Sequence, residues 1–184
     1  LEQRLHPAVV LHPIREGVSD DADAVAFFES ELRLHRQDAG QQLHVAVNVS
    51  MDNLAALEFP DFVAHEAHAA GVAVSSLVLE VTESRLMKDP LAALDVLTRL
   101  RLKRIRLSID DFGTGHSSLA QLRDIPFDEL KVDRGFVHGA CRDASLKAIV
   151  EASLGMARQL GMKTVAEGVE DQADWHFLHA AGCD

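Results

Sequence analysis

The chain has 184 residues, 47% of them hydrophobic and 26% charged, and a formal net charge of −11. This length and composition predict one globular domain, and no apolar run approaches the roughly 18 to 20 residues that a membrane-spanning helix needs. The negative charge argues against sequence-independent binding to long nucleic acid, because such binding depends on Lys and Arg side chains that neutralise phosphates. Cys141 and Cys183 stand far apart without a Cys-x-x-Cys pair, so we expect a reduced, cytoplasmic protein.

Strands and helices alternate along the predicted chain. Two His-Pro pairs, at His6 and His12, oppose a regular helix near the start, so residues 1–19 are expected to be mostly an N-terminal loop region. Apolar residues at helical spacing predict helices over about 20–38, 60–70, 90–102, 117–123, 144–160 and 172–181. Short, branched apolar runs predict strands beginning near Leu43, Leu77, Arg104, Glu129 and Lys163.

Each predicted strand carries polar or charged side chains at or near its end. The alternating apolar run over 105–109 stops at two adjacent acids, Asp110 and Asp111. Successive polar strand ends lie about 23 to 34 residues apart, the length of a strand–helix unit, and such units place their sites at the carboxyl ends of the strands. The polar strand-end residues are Asn48, Glu80, Asp110, Asp111, Lys131, Asp133 and Glu167.

Polar groups on five consecutive strands converge only if the strands form a ring, whereas an open sheet gathers its ligands at one switch point. The sequence therefore predicts an α/β fold of the TIM-like (β/α)8 type. Such barrels typically have about 250 residues, so this chain is short for one.

Several carboxylates brought together would repel one another unless a cation neutralised them. Hard oxygen ligands select Mg²⁺, Mn²⁺ or Ca²⁺, and adjacent acids such as Asp110 and Asp111 suit the bridging of two ions, an arrangement used to hydrolyse phosphate esters. One alternative is that these acids are ordinary cap and turn residues that face water. Another is an enolase-like barrel in which acids bind Mg²⁺ and Lys131 acts as the base.

Five motifs, in order, resemble those of EAL-domain cyclic di-GMP phosphodiesterases. They are Asn-Val-Ser at 48–50, Leu-Glu-Val-Thr-Glu at 79–83, Asp-Asp-Phe-Gly-Thr-Gly at 110–115, Leu-Lys-Val-Asp at 130–133 and Val-Ala-Glu-Gly-Val-Glu at 165–170. The resemblance covers about residue 20 to the end. It implies a TIM-like barrel of the EAL type that spans 1–184 as a partial domain, incomplete at both ends in this chain. It also implies metal-dependent hydrolysis of cyclic di-GMP to linear pGpG in bacterial second-messenger signalling.

The resemblance implies two Mg²⁺ or Mn²⁺ ions and their ligands. Asn48, Glu80 and Asp110 would bind the first ion, and Asp110 would bridge to a second ion held by Asp111 and Glu167. We expect Ca²⁺ to compete without supporting turnover, because its looser, higher coordination would misplace the nucleophile.

The resemblance also assigns roles beyond the metal ligands. Lys131 would hold and orient the attacking water, Asp133 would support the shell of metal-bound water, and Glu167 would also serve as general base. Glu83 would anchor the loop over 112–118, and Glu170 would support the turn at Glu167.

Two departures from the family pattern concern the ends of the chain. The Glu-Ala-Leu of the second family strand is absent, so the first ion lacks one ligand in this chain, and the Gln-Gly strand that follows Gly-Cys-Asp at 182–184 is absent as well. His116 stands where the family usually has an aromatic residue in the loop that faces a dimer partner.

The implied partners are cyclic di-GMP, a second copy of the chain, and flanking sensory or GGDEF-type domains, with no membrane contact from this domain. The alternative function is a catalytically inactive relative that binds the nucleotide, or a partner protein, as a receptor.

Overall fold

The computed structural model describes residues 8–10, 44–83, 90–114 and 119–184. The chain divides into two compact units, Leu1–Glu80 with Leu91–Arg106 and Val81–Pro90 with Leu107–Asp184, and each is described by itself. The helix predicted over 20–38 and loop positions 115–118, with His116, lie outside the described residues.

Parallel strands form the sheet of the first unit. Strand β1 (Ala8–Val10) pairs with β2 (His44–Asn48), and β2 pairs with β3 (Leu77–Thr82), whose last two residues belong to the second unit. Most residues of β2 and β3 are buried, as near-continuous apolar sequence predicts for parallel strands covered on both faces. Strand β1 lies in the stretch predicted to be mostly loop, because three apolar residues are too few to give a periodic signal.

In the part of the chain that the structure describes, three helices and a short 3₁₀ turn accompany these strands. Helix α1 (Met51–Ala55) begins with a capping box between Ser50 and Asn53, and α2 (Phe59–Ala69) follows with a proline in its first turn. The 3₁₀ turn covers Val74–Ser76, and α3 covers Pro90–Leu102, the range predicted from its apolar spacing. The buried side of α3 includes Val96, Leu97 and Leu100, each with no exposed surface.

The second unit has the same parallel arrangement. Strand β4 (Arg106–Phe112) pairs with β5 (Glu129–Val132), and β5 pairs with β6 (Lys163–Ala166). Among the described residues of this unit, the helices are α4 (Leu119–Asp124), α5 (Arg134–Val137), α6 (Ala144–Leu160) and α7 (Gln172–Ala181). Within the described ranges, no helix is long and apolar enough to cross a membrane.

Capping residues mark where the two long helices of the second unit begin and end. Helix α6 begins where the Asp143 carboxylate accepts hydrogen bonds from two backbone N–H groups, and it ends at Gly161, whose φ of 74° is left-handed. This end matches the stop predicted from the glycine, which adopts positive φ without steric penalty. Asp171 caps the start of α7 by accepting a hydrogen bond from Asp174 N.

A buried carboxylate joins α7 to the loop before α6. Asp174 has no exposed surface, and its two oxygens accept hydrogen bonds from Gly139 N at 2.8 Å and Cys141 N at 3.1 Å. Burial alone would raise the pKa of Asp174, but these hydrogen bonds and the charge of Arg142 outweigh it, so the pKa lies below its usual value. The carboxylate therefore satisfies two backbone donors while it stays ionised.

Candidate metal centre

The two adjacent acids at the end of β4 lie in a β-bulge. Ile109 pairs with Leu130 and Phe112 pairs with Val132, so two residues of β4 stand opposite a single residue of β5, Lys131. Adjacent side chains of a regular strand point to opposite faces, and the extra residue of a bulge changes that alternation. Asp111, the second of the two, has a φ of 55°.

The bulge brings both acids of β4 to one cluster. Oxygens of Asp110, Asp111 and Glu167, one from each carboxylate, all lie within 4.8 Å of one another. The cluster therefore gathers acids from the ends of β4 and β6, as the strand-end pattern predicts for this part of the site.

Lys131 supplies the positive charge in this cluster. Its Nζ lies 3.0 Å from Asp110 Oδ1 and 2.6 Å from Glu167 Oε1. Lys131 is 4% exposed and Asp110 is 9% exposed, so little water screens their charges. Three carboxylates and one ammonium leave an excess of negative charge in a nearly buried place.

The pKa of Asp111 reflects the excess of negative charge in the cluster. Burial raises its pKa, and the negative charges of Asp110, Asp133 and Glu167 raise it further, against the opposing effect of Lys131. A divalent cation would favour the ionised form that these neighbours disfavour. The hard oxygen donors and their uncompensated charge thus fit a divalent cation that prefers oxygen ligands.

The polypeptide around Asp133 and Glu167 is fixed by hydrogen bonds. The Asp133 carboxylate caps α5 by accepting a hydrogen bond from Gly135 N at 2.9 Å. Glu167 N donates to Val132 O at 3.1 Å, which ties the residue after β6 to the end of β5. The Glu167 side chain is 31% exposed, so part of its carboxylate faces solvent.

The predicted ligands Asn48 and Glu80 lie in the first unit. They are register partners on β2 and β3, and Val49 N donates to Glu80 O at 2.9 Å. Glu80 is 3% exposed. Their assignment to the same ion as Asp110 stays a prediction.

The residues predicted to support the loops have defined contacts in the second unit. Glu83, which is 2% exposed, accepts a hydrogen bond from Gly113 N at 2.8 Å. Glu170 forms an ion pair with Arg134 at 2.9 Å and lies 3.9 Å from His138 Nδ1. Sequence reasoning did not single out Arg134, because a lone basic residue after the Leu-Lys-Val-Asp motif carries no spacing signal.

Comparison with known proteins identifies the family of the chain. The sequence profile of the EAL domain matches residues 2–184. The bifunctional diguanylate cyclase/cyclic di-GMP phosphodiesterase MucR of Pseudomonas aeruginosa is 40% identical over 154 residues, which are 84% of this chain and 22% of MucR. The cyclic di-GMP phosphodiesterase NbdA of the same organism is 44% identical over 144 residues, 78% of this chain and 18% of NbdA. The chain thus spans about a fifth of the length of these curated relatives.

Solved structures extend the likeness to the fold. The PaMucR phosphodiesterase in its c-di-GMP complex has a TM-score of 0.81 and 38% identity, over 89% of this chain and 67% of that one. The manganese/cyclic di-GMP complex of Klebsiella pneumoniae BlrP1 at pH 9.0 has a TM-score of 0.78 and 28% identity, over 89% and 43%. EAL domains are TIM-barrel-like, so the predicted fold class is confirmed. The profile match and these likenesses establish that the chain belongs to the EAL domain family.

Proposed function

We propose that this chain is the phosphodiesterase domain of a signalling protein and hydrolyses one phosphodiester bond of cyclic di-GMP, giving linear pGpG. The observation that carries the proposal is the buried Lys131 between Asp110 and Glu167, with Asp111 beside them. A site that only bound a nucleotide would not need an ammonium and a carboxylate placed to handle water. Relatives named cyclic di-GMP phosphodiesterases, and solved relatives that hold cyclic di-GMP, support the choice of substrate.

Asp110, Asp111 and Glu167 would hold the divalent ions, with Asn48 and Glu80 as further ligands of the first ion. When bound, such ions lower the pKa of a coordinated water and neutralise phosphate charge, which a chain of net charge −11 would otherwise repel. Relatives solved with manganese and with calcium, each with cyclic di-GMP, support divalent metal use. We propose Mg²⁺ or Mn²⁺ as the active ions and Ca²⁺ as an inhibitor, because Ca²⁺ coordinates more loosely.

Residues of the chain itself would orient the attacking water and accept its proton. Lys131 Nζ lies between the carboxylates of Asp110 and Glu167, where it would orient the attacking water. Glu167 has a partly exposed carboxylate and would accept the proton of that water as general base. Asp133, fixed as the cap of α5, would support the surrounding water shell.

The assembly around this domain follows from the same assignment. We propose a cytoplasmic homodimer with flanking sensory or GGDEF-type domains. The name of MucR, a bifunctional cyclase and phosphodiesterase of which this chain spans 22%, supports the presence of further domains.

The test measures pGpG by chromatography, using the full-length protein. EDTA should abolish hydrolysis, and Mg²⁺ or Mn²⁺ should restore it. Glu167→Gln should lower kcat by about 10²-fold while nucleotide affinity, measured by calorimetry in Ca²⁺, changes far less. Glu151→Gln, on the exposed side of α6, is the matched control and should leave kcat unchanged.

Two results would overturn the proposal. A parent protein that binds cyclic di-GMP and never yields pGpG in Mg²⁺ or Mn²⁺ would be a receptor. Undiminished hydrolysis in EDTA would remove the metal ions from the reaction.

A further inference from the structure

The four-residue helix α5 contacts both turns that carry the acids of the second unit. It begins one residue after Asp133, and its side chains reach the turn after β4 and the turn after β6. The first turn follows the bulge with Asp110 and Asp111, and the second contains Glu167. The contacts on each side are close and are made possible by a glycine.

Arg134 makes the contact with the turn after β6. A Cβ atom placed on Gly168 would lie 2.9 Å from both Cβ and Cδ of Arg134, and nearer still to its Cγ. The aliphatic stem of Arg134 therefore lies directly on the backbone of Gly168, the residue after Glu167. Gly168 has a φ of 67°, and its missing side chain is what admits the stem. The guanidinium group then reaches Glu170 at 2.9 Å.

Phe136 makes the contact with the turn after β4. A Cβ atom on Gly113 would lie 2.8 Å from Cε2 of the Phe136 ring. Gly113 has a φ of 99° and follows the bulge by one residue. Glu83 also accepts a hydrogen bond from Gly113 N, so a ring and a carboxylate both contact this turn.

We propose that α5 is a positioning element for the acid cluster, in which the stem of Arg134 sets the place of the Glu167 carboxylate. This inference rests on the proposed function, because it takes Glu167 as a metal ligand. The stem matters more than the charge. The ion pair with Glu170 is exposed, at 67% for Arg134 and 52% for Glu170, and exposed pairs contribute little. The stem is packed against backbone, and a small misplacement of a reacting group is enough to slow a reaction severely.

Two substitutions separate stem from charge, since both remove the guanidinium. Arg134→Met keeps an unbranched stem over Gly168, and Arg134→Ala removes the stem beyond Cβ. Loss of one positive charge strengthens cation binding or leaves it unchanged, and it does so equally in both variants because each removes the same guanidinium. We therefore expect Arg134→Met to bind Mn²⁺ as tightly as the parent or more tightly, and Arg134→Ala to bind it about tenfold more weakly.

The measurement is calorimetric titration of the full-length protein with MnCl₂, without nucleotide. Turnover gives a second readout: Arg134→Ala should lower kcat about tenfold or more with KM for cyclic di-GMP within about twofold, and Arg134→Met should match the parent. Thermal unfolding midpoints should agree closely among the three proteins, because the Arg134 side chain is 67% exposed in spite of its contact with Gly168, and substitutions of largely exposed side chains change stability little. Phe136→Ala against Phe136→Leu tests the second contact by the same titration.

Equal Mn²⁺ affinity in the Ala and Met variants would overturn the role of the stem. An equal loss of Mn²⁺ affinity in both variants, relative to the parent, would assign the effect to the ion pair with Glu170 and would also overturn the role of the stem. If the parent binds Mn²⁺ but makes no pGpG, the proposed function fails. The order of Mn²⁺ affinities among the parent and the two variants still decides this inference. A parent that binds no Mn²⁺ overturns both.

Discussion

Replacement of Lys131 by Met should destabilise the metal-free protein and slow the reaction. The substitution keeps the length of the side chain and removes the ammonium that lies 3.0 Å from Asp110 and 2.6 Å from Glu167. Removal of one partner from a buried ion pair costs about 3–5 kcal/mol. The lower end applies here, because the Glu167 side chain is 31% exposed and water can solvate its carboxylate.

A loss of about 3 kcal/mol in the free energy of unfolding corresponds to a fall of roughly 6 to 12 °C in Tm for a domain of this size. The assay is thermal unfolding in EDTA and again in saturating Mn²⁺. The divalent ion supplies the positive charge that the variant lacks, so the difference in Tm between parent and variant should shrink in Mn²⁺. In turnover assays kcat should fall by about 10²-fold or more, the scale for loss of one preorganised electrostatic group.

Lys163→Met is the matched control, since Lys163 is an exposed residue of β6 in the same unit. Its Tm should stay close to that of the parent in both conditions. An unchanged Tm of Lys131→Met in EDTA, together with unchanged kcat, would refute the reasoning from the buried ammonium.

Two further predictions concern contacts away from the ammonium. Glu83→Ala should lower kcat about tenfold, because Gly113 N loses the acceptor that fixes the turn after the bulge. Glu83→Gln keeps an acceptor oxygen and should retain more activity. Equal kcat in Glu83→Ala and the parent protein would exclude the loop from the mechanism. Asp174→Asn should lower the free energy of unfolding at pH 7 by about 1–3 kcal/mol in urea titrations, since one amide cannot accept from both Gly139 N and Cys141 N. The pKa of Asp174 is lowered in the folded protein, so the advantage of the carboxylate is complete above the unfolded pKa of about 3.9 and is lost as pH falls through the folded pKa. The difference in free energy of unfolding between the parent and Asp174→Asn should therefore become smaller as the pH falls through these pKa values. A difference that stays constant from pH 7 to pH 3 would contradict this account.

Features that repeat along the chain could be predicted from the sequence. The buried strands β2 and β3 and the capped helix α6 follow from apolar spacing and from stop residues such as Gly161. The association of acids from different strands follows from parallel topology, which brings strand ends to one edge. Asp110, Asp111 and Glu167 were therefore predictable as a group.

Features that depend on tertiary contact could not be predicted. Strand β1 has three residues and is defined by its pairing with β2, not by a pattern of its own. The bulge at Asp110 and Asp111 arises from the register between β4 and β5, which no single segment encodes. Helix α5 has four residues, fewer than any periodic signal requires, and its contacts with Gly113 and Gly168 are visible only in three dimensions.

The left-handed backbone of Asp111 sets thermal stability and activity against each other at one position. A residue with a Cβ atom loses roughly 1–2 kcal/mol in this conformation relative to right-handed backbone, less for Asp, whose short side chain can hydrogen-bond locally, whereas glycine adopts it freely. Glycine at position 111 would also remove a carboxylate from a crowded negative cluster. Selection for melting temperature alone should thus enrich glycine at this position and discard a proposed metal ligand in the same step. We therefore expect an acid at 111 to be retained only where the proposed chemistry is under selection.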